Sequence, residues 1–170
     1  QLYFLKKALK KNGIPKPKNI YQKNGQFVIQ VMPENLTESI LWPGFKAEIW
    51  VQKGKPPSQG SLYQNPSQVS PGLSLVLGAG NVSSIAPLDA MHKLYLEGKV
   101  CLVKLNPVCE YLYPILNEVF FDLIHDGFLA FIKGDATVGS QLCHHHLVDE
   151  IHITGSHHTH DAIVWGDASL

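Results

Sequence analysis

The chain has 170 residues, a formal net charge of zero and a composition typical of a globular protein. This length suits one domain with its own core and a smaller appendage. The absence of net positive charge excludes electrostatic attraction to nucleic acid or to an anionic membrane as the main function. All fourteen basic residues are lysine, so a bound anion must be held by lysine, backbone N–H groups or helix N-termini, without arginine.

The chain divides near residue 71, and residues 1–70 predict a helix fragment, a β-ribbon and a linker. "QLYFLKKALKKNG" is typical of an amphipathic helix that Gly13 and Pro15 end, and not of a signal peptide or membrane span. "GQFVIQVMP", which follows an Asn-Gly turn, and "FKAEIWVQKG" both alternate apolar and polar residues. We therefore expect residues 24–70 to form a β-ribbon followed by a long, flexible loop.

From residue 71 to residue 170 the pattern changes to strands alternating with helices. The predicted strands are "LSLVLG", "KVCLVKL", "FLAFIKG" and "VDEIHITG". The predicted helices are "SSIAPLDAMHKLYLEG", "NPVCEYLYPILNEVFFDLIHDG", "DATVGSQLCHHH" and "SHHTHDAIVWG". Four strand–helix units in succession predict an α/β domain, in which a parallel sheet carries helices on both faces.

Ligands of such sheets bind where the parallel strands end at their carboxyl side. The candidate segments are therefore the four turns that follow the strands: Gly78–Ser84, Lys104–Pro107, Gly134–Gly139 and Gly155–His160.

The first turn, in "LVLGAGNVSSIAP", nearly matches the glycine fingerprint of dinucleotide-binding proteins. Gly78 and Gly80 fit the pattern G-x-G-x-x-G, but Ser83 stands at the third glycine. The second strand also ends in Lys104 instead of the acidic residue that binds a ribose hydroxyl, so the ordinary fingerprint is absent. Asn81 offers another chemistry, because a side-chain amide at a strand end can stabilise an oxyanion. The alternative is that Asn81 only forms the turn or caps the next helix.

The other three turns offer groups for a nucleotide. Lys104 ends a buried strand, so its ammonium either reaches solvent or binds the ribose or phosphate of a cofactor. Asn106 and Pro107 fit the N-cap and first position of a helix. The turns at Gly134–Gly139 and Gly155–His160 present helix N-termini, which bind anions, although any α/β protein has such turns.

Neither the histidines nor the cysteines form a predicted metal site. His144–His146 are adjacent on a helix, so their side chains point in different directions. His157 and His160 lie three residues apart, but no carboxylate or thiol is arranged to complete the ligand set. The three cysteines lie in apolar surroundings and are expected to be free thiols of a reducing cytosol. They are Cys101, Cys109 and Cys143.

The ordered set of elements in residues 72–166 resembles the cofactor-binding domain of the aldehyde dehydrogenase superfamily, including its acyl-CoA-reductase-like branches. The resemblance rests on the order strand, Asn81, helix, "G-x-V-x-L-V-K", helix, glycine turn and "LVDEIHITGS", as in "LVLGAGNVSS", "GKVCLVK" and "LVDEIHITGS". It implies a Rossmann-like, doubly wound sheet and NAD or NADP as the cofactor. The cytoplasmic location is predicted from the cysteines.

The resemblance also implies roles for individual residues. Asn81 matches the cleft asparagine that helps to hold the thiohemiacetal oxyanion, and Lys104 matches the lysine that contacts the adenosine ribose or the extra phosphate of NADP. Gly155 and Ser156 match the turn beside the pyrophosphate, where the family has Gly-Ser-Thr-x-x-Gly and this chain has "GSHHTH", with bulkier histidines. The residues expected to contact the cofactor are Gly78, Gly80, Lys104, Asn106, Gly134, Gly139, Gly155 and Ser156.

The family's catalytic cysteine and glutamate have no counterpart in this sequence, because both would follow Gly166. Residue 1 is Gln and not Met, which also fits a processed or excised piece. The sequence therefore predicts the dinucleotide-binding portion of an aldehyde-dehydrogenase-like oxidoreductase, inactive alone. The alternatives are a non-catalytic binding or assembly module, in which copies pair through the β-ribbon, and a metal-binding protein built on the histidines.

Overall fold

The structure, a computed structural model, describes residues 17–166. The helix predicted in residues 1–13 lies outside the described residues. The chain forms two compact units, the first ending at Gln64 and the second beginning at Asn65, whereas the sequence places the division near residue 71. Each unit is described by itself.

The first unit is built on a three-stranded antiparallel sheet in the order β1-β2-β3. Asn24 and Gly25 have φ angles of 52° and 75°, which the tight turn between β1 and β2 requires. The predicted ribbon is present as β2 and β3, and β1 and two short helices were not predicted. The elements are β1 (Ile20–Lys23), β2 (Gln26–Met32), α1 (Leu36–Leu41), β3 (Ala47–Trp50) and α2 (Ser61–Gln64).

The second unit alternates strands and helices, as the sequence predicts. Its strands are β4 (Leu73–Leu77), β5 (Val100–Lys104), β6 (Leu129–Ile132) and β7 (Glu150–Ile153). Its helices are α3 (Ile85–His92), α4 (Tyr113–Val119), α5 (Phe121–His125), α6 (Ala136–Cys143) and α7 (His157–Trp165). Three further helical segments, which are not α-helices, cover Pro66–Gln68, Lys93–Glu97 and Pro107–Leu112.

All four strands of the second unit are parallel and lie in the order β6-β5-β4-β7. The register aligns the last residues of the strands: Leu77 lies beside Lys104 and Ile153, and Lys104 lies beside Ile132. The prediction of an α/β unit with a parallel sheet flanked by helices is therefore confirmed. The register brings all four predicted turns to one edge of this sheet.

The core lies mainly on one face of the sheet. Leu75 and Val76 are consecutive in β4 and both fully buried, so both faces of this central strand are covered. On the face of Leu75 the cover is incomplete, because Ala130 of the edge strand β6 is exposed. On the face of Val76 a larger cluster packs under α3 and α4; it consists of Val76, Ala86, Ala90, Cys101, Val103, Leu105, Leu116, Leu129 and Phe131.

The helix predicted from Asn106 to Gly127 is in fact three pieces. A 3₁₀ segment over Pro107–Leu112 precedes α4, and Phe120 separates α4 from α5. Pro114 explains the first break, because a proline suits the first turn of a helix but blocks one that continues across it. Asn106 caps the first piece, since its side chain accepts a hydrogen bond from the Val108 N–H.

Candidate functional site

The turns after β4 and β5 are joined directly at the carboxyl edge of the sheet. The Gly78 N–H donates to the Lys104 carbonyl at 2.9 Å, and the Leu105 N–H donates to the Ile132 carbonyl at 2.9 Å. These bonds continue the ladder beyond the last paired residues. The ends of β4, β5 and β6 therefore form one edge from which the predicted site residues project.

Gly78 and Gly80 allow the first turn to pack against the second. A Cβ at Gly78 would lie 3.0 Å from Ala86 Cβ and 3.3 Å from the Lys104 carbonyl oxygen. A Cβ at Gly80 would lie 2.9 Å from the Asn106 side chain, which is closer than side chains approach one another. Both glycines and Asn106 are thus brought together, and any residue larger than glycine would force the turns apart.

Lys104 is the most unusual side chain at this edge. It is only 8% exposed, and its ammonium has no hydrogen-bond or ion-pair partner among residues 17–166. Burial lowers its pKa, and the carboxylates of Asp135 and Glu110 oppose that shift without cancelling it. Its Nζ atom is not among the fully buried polar atoms that lack a partner in residues 17–166, so the side chain is largely buried while the ammonium itself keeps contact with solvent.

Asn81 leaves its side-chain amide free. The residue directly follows Gly80 and is exposed, and within the described part of the chain its amide makes no hydrogen bond. Ser84, and not Asn81, precedes α3 as its N-cap residue, without a side-chain cap. The capping role considered for Asn81 is therefore wrong, and its amide is available at the same edge as Lys104.

The turn after β6 is held by carboxylates. The Gly134 N–H donates to Glu110 Oε1 at 2.8 Å, and the Val138 N–H donates to Asp135 Oδ1 at 3.1 Å. Gly134 has a φ of +152°, and a Cβ there would lie 2.7 Å from Val138. Gly139 differs, because it is inside α6 and has nothing within 4 Å of an added Cβ. Of these two glycines, both expected to contact the cofactor, only Gly134 lies in the turn itself.

The turn after β7 begins at Gly155 and is capped by Ser156, whose hydroxyl accepts from the Thr159 N–H at 3.3 Å. Gly155 is exposed and has ordinary space around it. Asp89 of α3 fixes the end of β7, since its Oδ2 accepts from the Thr154 hydroxyl at 2.8 Å and lies 3.3 Å from His152 Nε2. Asp89 and Glu110 are contacts that the sequence did not reveal.

The histidines form no metal cluster in the described residues, where no group of three His, Cys, Asp or Glu side chains is close enough to hold an ion. His145 stacks on His146 at 4.6 Å, and the rings of His157 and His158 lie 3.9 Å apart. The latter pair follows the Gly155 turn, so it adds aromatic bulk at that place.

The three cysteines are free thiols, and none is suited to act as a nucleophile. Cys101 is 1% exposed, and burial, aided by Glu150, raises its pKa to about 12. Burial also raises the pKa of Cys143. The Cys109 thiol is buried 3.7 Å from the Ala79 carbonyl oxygen. Attack requires an accessible thiolate, which these positions do not provide.

An open groove lies along β7 between α6 and α7 and contains none of the predicted site residues. Its lining combines the polar residues Asp149, Glu150 and His160 with Cys143, Val148, Ile151, Ile153, Ile163 and Val164. The groove is mostly apolar, and of its polar lining residues only His160 also belongs to one of the predicted turns.

Comparison of the chain with protein-family models, with curated proteins and with solved structures found no match in any of the three. None of the helices in residues 17–166 has the length and hydropathy of a segment that crosses a membrane. The functional reading therefore rests on the geometry of the site and on the sequence.

Proposed function

We propose that residues 72–166 form a Rossmann-like domain that binds NAD or NADP, as the cofactor-binding portion of an aldehyde-dehydrogenase-like oxidoreductase. The strand order supports this proposal. From β4 the chain moves outward through β5 to β6 and then returns to place β7 on the other side of β4. Such a reversal opens a crevice at the carboxyl ends of the two strands, where nucleotides bind in doubly wound sheets.

The observation that carries the proposal is the unpaired ammonium of Lys104. Ribose hydroxyls or a phosphate would supply hydrogen-bond acceptors to this ammonium, which has no such partner within residues 17–166. The chain has no arginine, so lysine is the cation on which recognition of an anion would depend. A ligand that binds Lys104 would offset the cost of burying its charge.

The neighbouring residues fit a dinucleotide. Gly78 and Gly80 keep the first turn narrow against Asn106, which leaves backbone and not side chains at the crevice. The N-terminus of α7, with Gly155 and Ser156, would face the pyrophosphate. The paired histidine rings beside that turn make it bulkier than a glycine-rich turn, so we expect weak binding.

The cofactor, when bound, would supply a hydride acceptor. Asn81 would donate its free amide to an oxyanion formed next to the cofactor. None of the three cysteines offers an accessible thiolate, so the nucleophile of the aldehyde dehydrogenase reaction is not among them. We therefore propose cofactor binding, without catalysis, for residues 72–166.

Titration of the purified chain with NAD and NADP by isothermal calorimetry tests the proposal. Lys104→Met keeps the aliphatic stem and should weaken binding about ten- to one-hundredfold, the value of a charge-assisted hydrogen bond. Lys133→Met is the matched control, because Lys133 also follows a strand but holds its ammonium 5.0 Å over the Tyr113 ring. Its effect should stay below about twofold, a change that is within ordinary surface variation. Absence of binding at millimolar cofactor, or equal losses in the two variants, would refute the proposal.

A second function, a non-catalytic assembly module, is favoured by one observation in the first unit. Around α1, Leu36, Ile40 and Phe45 are 76%, 69% and 65% exposed, and a cluster of exposed apolar side chains is typical of an interaction surface. In this proposal two copies pair through their antiparallel sheets and this surface. Sedimentation velocity should then show a dimer that Ile40→Lys dissociates, and a monomer at all concentrations would exclude it.

A further inference from the structure

The backbone donors after β6 are already occupied by carboxylates of this chain. The Gly134 N–H donates to Glu110 Oε1, and the Val138 N–H in the first turn of α6 donates to Asp135 Oδ1. Free N–H groups at such a position would attract a phosphate. Here each of the two is satisfied by a negatively charged oxygen, so a second anion would find neither donor free.

These two carboxylates also act on the charge of Lys104, although neither forms an ion pair with its ammonium. Lys104 is the strand neighbour of Ile132, two residues before Gly134, and Asp135 and Glu110 both interact with its charge. One cation therefore faces two anions at this end of the sheet. Lys133 does not add a second positive charge beside these carboxylates, because its ammonium lies over the Tyr113 ring. Tyr113 packs on the opposite face of the sheet, against the core cluster under α3 and α4.

We infer that this site selects NAD over NADP, and that Glu110 and Asp135 are the residues that reject the 2′-phosphate. The inference rests on the proposed function, because it assigns the adenosine ribose to the end of β5. A ribose 2′-hydroxyl can accept from Lys104 and donate to a carboxylate, and carboxylates bind this hydroxyl in many NAD sites. A 2′-phosphate, with a charge of about −1.5 to −2 at neutral pH, would be repelled by both carboxylates.

The experiment measures the affinities of NAD and NADP for the wild-type chain and for two isosteric variants. Glu110→Gln keeps an oxygen to accept from the Gly134 N–H, and Asp135→Asn keeps a good N-cap. Each variant therefore removes a charge while preserving the local hydrogen bond. Circular dichroism and thermal unfolding confirm that the variants fold.

The wild-type chain should bind NAD at least about tenfold more tightly than NADP, the size of one unfavourable charge contact. Each substitution should improve the affinity for NADP about three- to tenfold, with less than twofold change for NAD, because each removes one repulsive charge. Asp126→Asn is the control, since Asp126 is exposed, contacts His125, and precedes β6 at the opposite edge of the sheet. It should leave the ratio of the two affinities unchanged.

The results that would contradict the selectivity can be told apart from the result that would contradict dinucleotide binding. Equal or tighter binding of NADP by the wild-type chain would overturn the inference and leave the dinucleotide site standing. A ratio that Glu110→Gln and Asp135→Asn do not change would show that these carboxylates do not determine the selectivity. Binding of neither cofactor would overturn the proposed function and this inference together.

Discussion

The two units differ sharply in how much apolar surface they bury. In the first unit Val28 is the one fully buried apolar side chain that the structure describes, while Trp50 and Ile49 of the same sheet are 44% and 53% exposed. In the second unit consecutive residues of β4, Leu75 and Val76, are both completely buried. Alternating apolar residues predict the strands of the first unit, whereas the continuous apolar run of β4 marks a strand that is buried on both faces.

The connections between strands explain the difference. Antiparallel strands can be joined by a tight turn, as β1 and β2 are, so no helix has to cross the sheet. Parallel strands need long crossovers, and the helices of those crossovers cover the sheet. In the first unit α1 buries none of its own residues. The second unit is therefore stabilised by apolar residues buried between its sheet and its own helices, whereas the first unit leaves apolar side chains exposed.

The largest effect that this comparison predicts is the truncation of a core leucine in the second unit. Leu105 is 1% exposed, so Leu105→Ala should lower the free energy of unfolding by about 3 kcal/mol. Leu41→Ala is the matched change in the first unit, where Leu41 is 66% exposed, and should cost no more than about 0.5 kcal/mol. Urea unfolding followed by far-UV circular dichroism measures both. Similar losses would contradict the difference between the units.

Replacing one glycine in each unit by alanine separates the cost of backbone strain from the cost of crowding around the new Cβ atom. Gly134 has a φ of +152° and a crowded Cβ position, whereas Gly44 has a φ of +80° and nothing within 4 Å. Gly134→Ala should therefore cost about 2–3 kcal/mol, from strain and overpacking together. Gly44→Ala should cost about 1 kcal/mol, from strain alone. Thermal unfolding gives the ranking.

Gly139→Ala is the control with the opposite sign. Gly139 lies inside α6 with open space at its Cβ position, so alanine should stabilise the helix by up to about 1 kcal/mol. If all three alanine variants lose stability equally, the local geometry of the turn after β6 does not determine the effect.

The sequence predicts the strands and helices of the second unit well, because the patterns that mark them lie within short segments of the chain. Apolar runs mark the first three strands, a segment rich in β-branched residues that ends in glycine marks the fourth, and strand–helix alternation implies a parallel sheet. The position of Lys104 at a strand end follows from the same pattern. Whether its ammonium reaches solvent does not, since that depends on α6 and on the turns packed around it.

The sequence could not predict contacts between residues that are far apart in the chain. Glu110 binds Gly134, and Asp89 binds Thr154, across 24 and 65 positions of the chain. No local pattern marks such a pair, because a glutamate or aspartate on a helix is ordinary in isolation. In the first unit, α1 was missed for a different reason: it is only six residues long and depends on its Asn35 cap.

The pKa values of lysines also differ between the units. Burial lowers the pKa of Lys104, while hydrogen bonds with Glu48 and Tyr21 raise that of the exposed Lys46. For Lys104 the folded pKa lies below the unfolded value of 10.5, so the folded chain loses this proton first as the pH rises. The cost of burying the charge is present at neutral pH and disappears between those two pKa values.

Lys104→Met should consequently be neutral or stabilising at pH 7, by up to about 1 kcal/mol. This advantage should shrink as the pH approaches 10.5, the unfolded pKa of the lysine that it replaces. Urea midpoints at pH 7 and pH 10 measure the change, with Lys133→Met as the control. An advantage that grows with pH would contradict the direction of the shift.

The smallest predicted effects come from two glutamates, one in each unit. Glu150 lies 3.0 Å from the nearly buried ammonium of Lys93. Burial is the largest single influence and opposes its charge, but the interactions with Lys93, Ser74 and Lys99 together outweigh it and lower the pKa of Glu150. Glu150→Gln should cost about 1 kcal/mol at pH 7. Because the folded pKa is the lower one, this difference should disappear as the pH falls through it.

Glu48 is hydrogen-bonded to Lys46 and Tyr21, which also lowers its pKa, but the side chain of its partner Lys46 is 51% exposed, against 12% for Lys93. Water and salt screen such a pair, so Glu48→Gln should produce a smaller change than Glu150→Gln. In about 1 M salt that change should vanish, since the screening length is then about 3 Å. Unfolding midpoints in low and high salt test both variants side by side. A larger and salt-resistant effect at Glu48 would mean that this exposed sheet owes its stability to the ion pair, and the contrast drawn between the units would then be wrong.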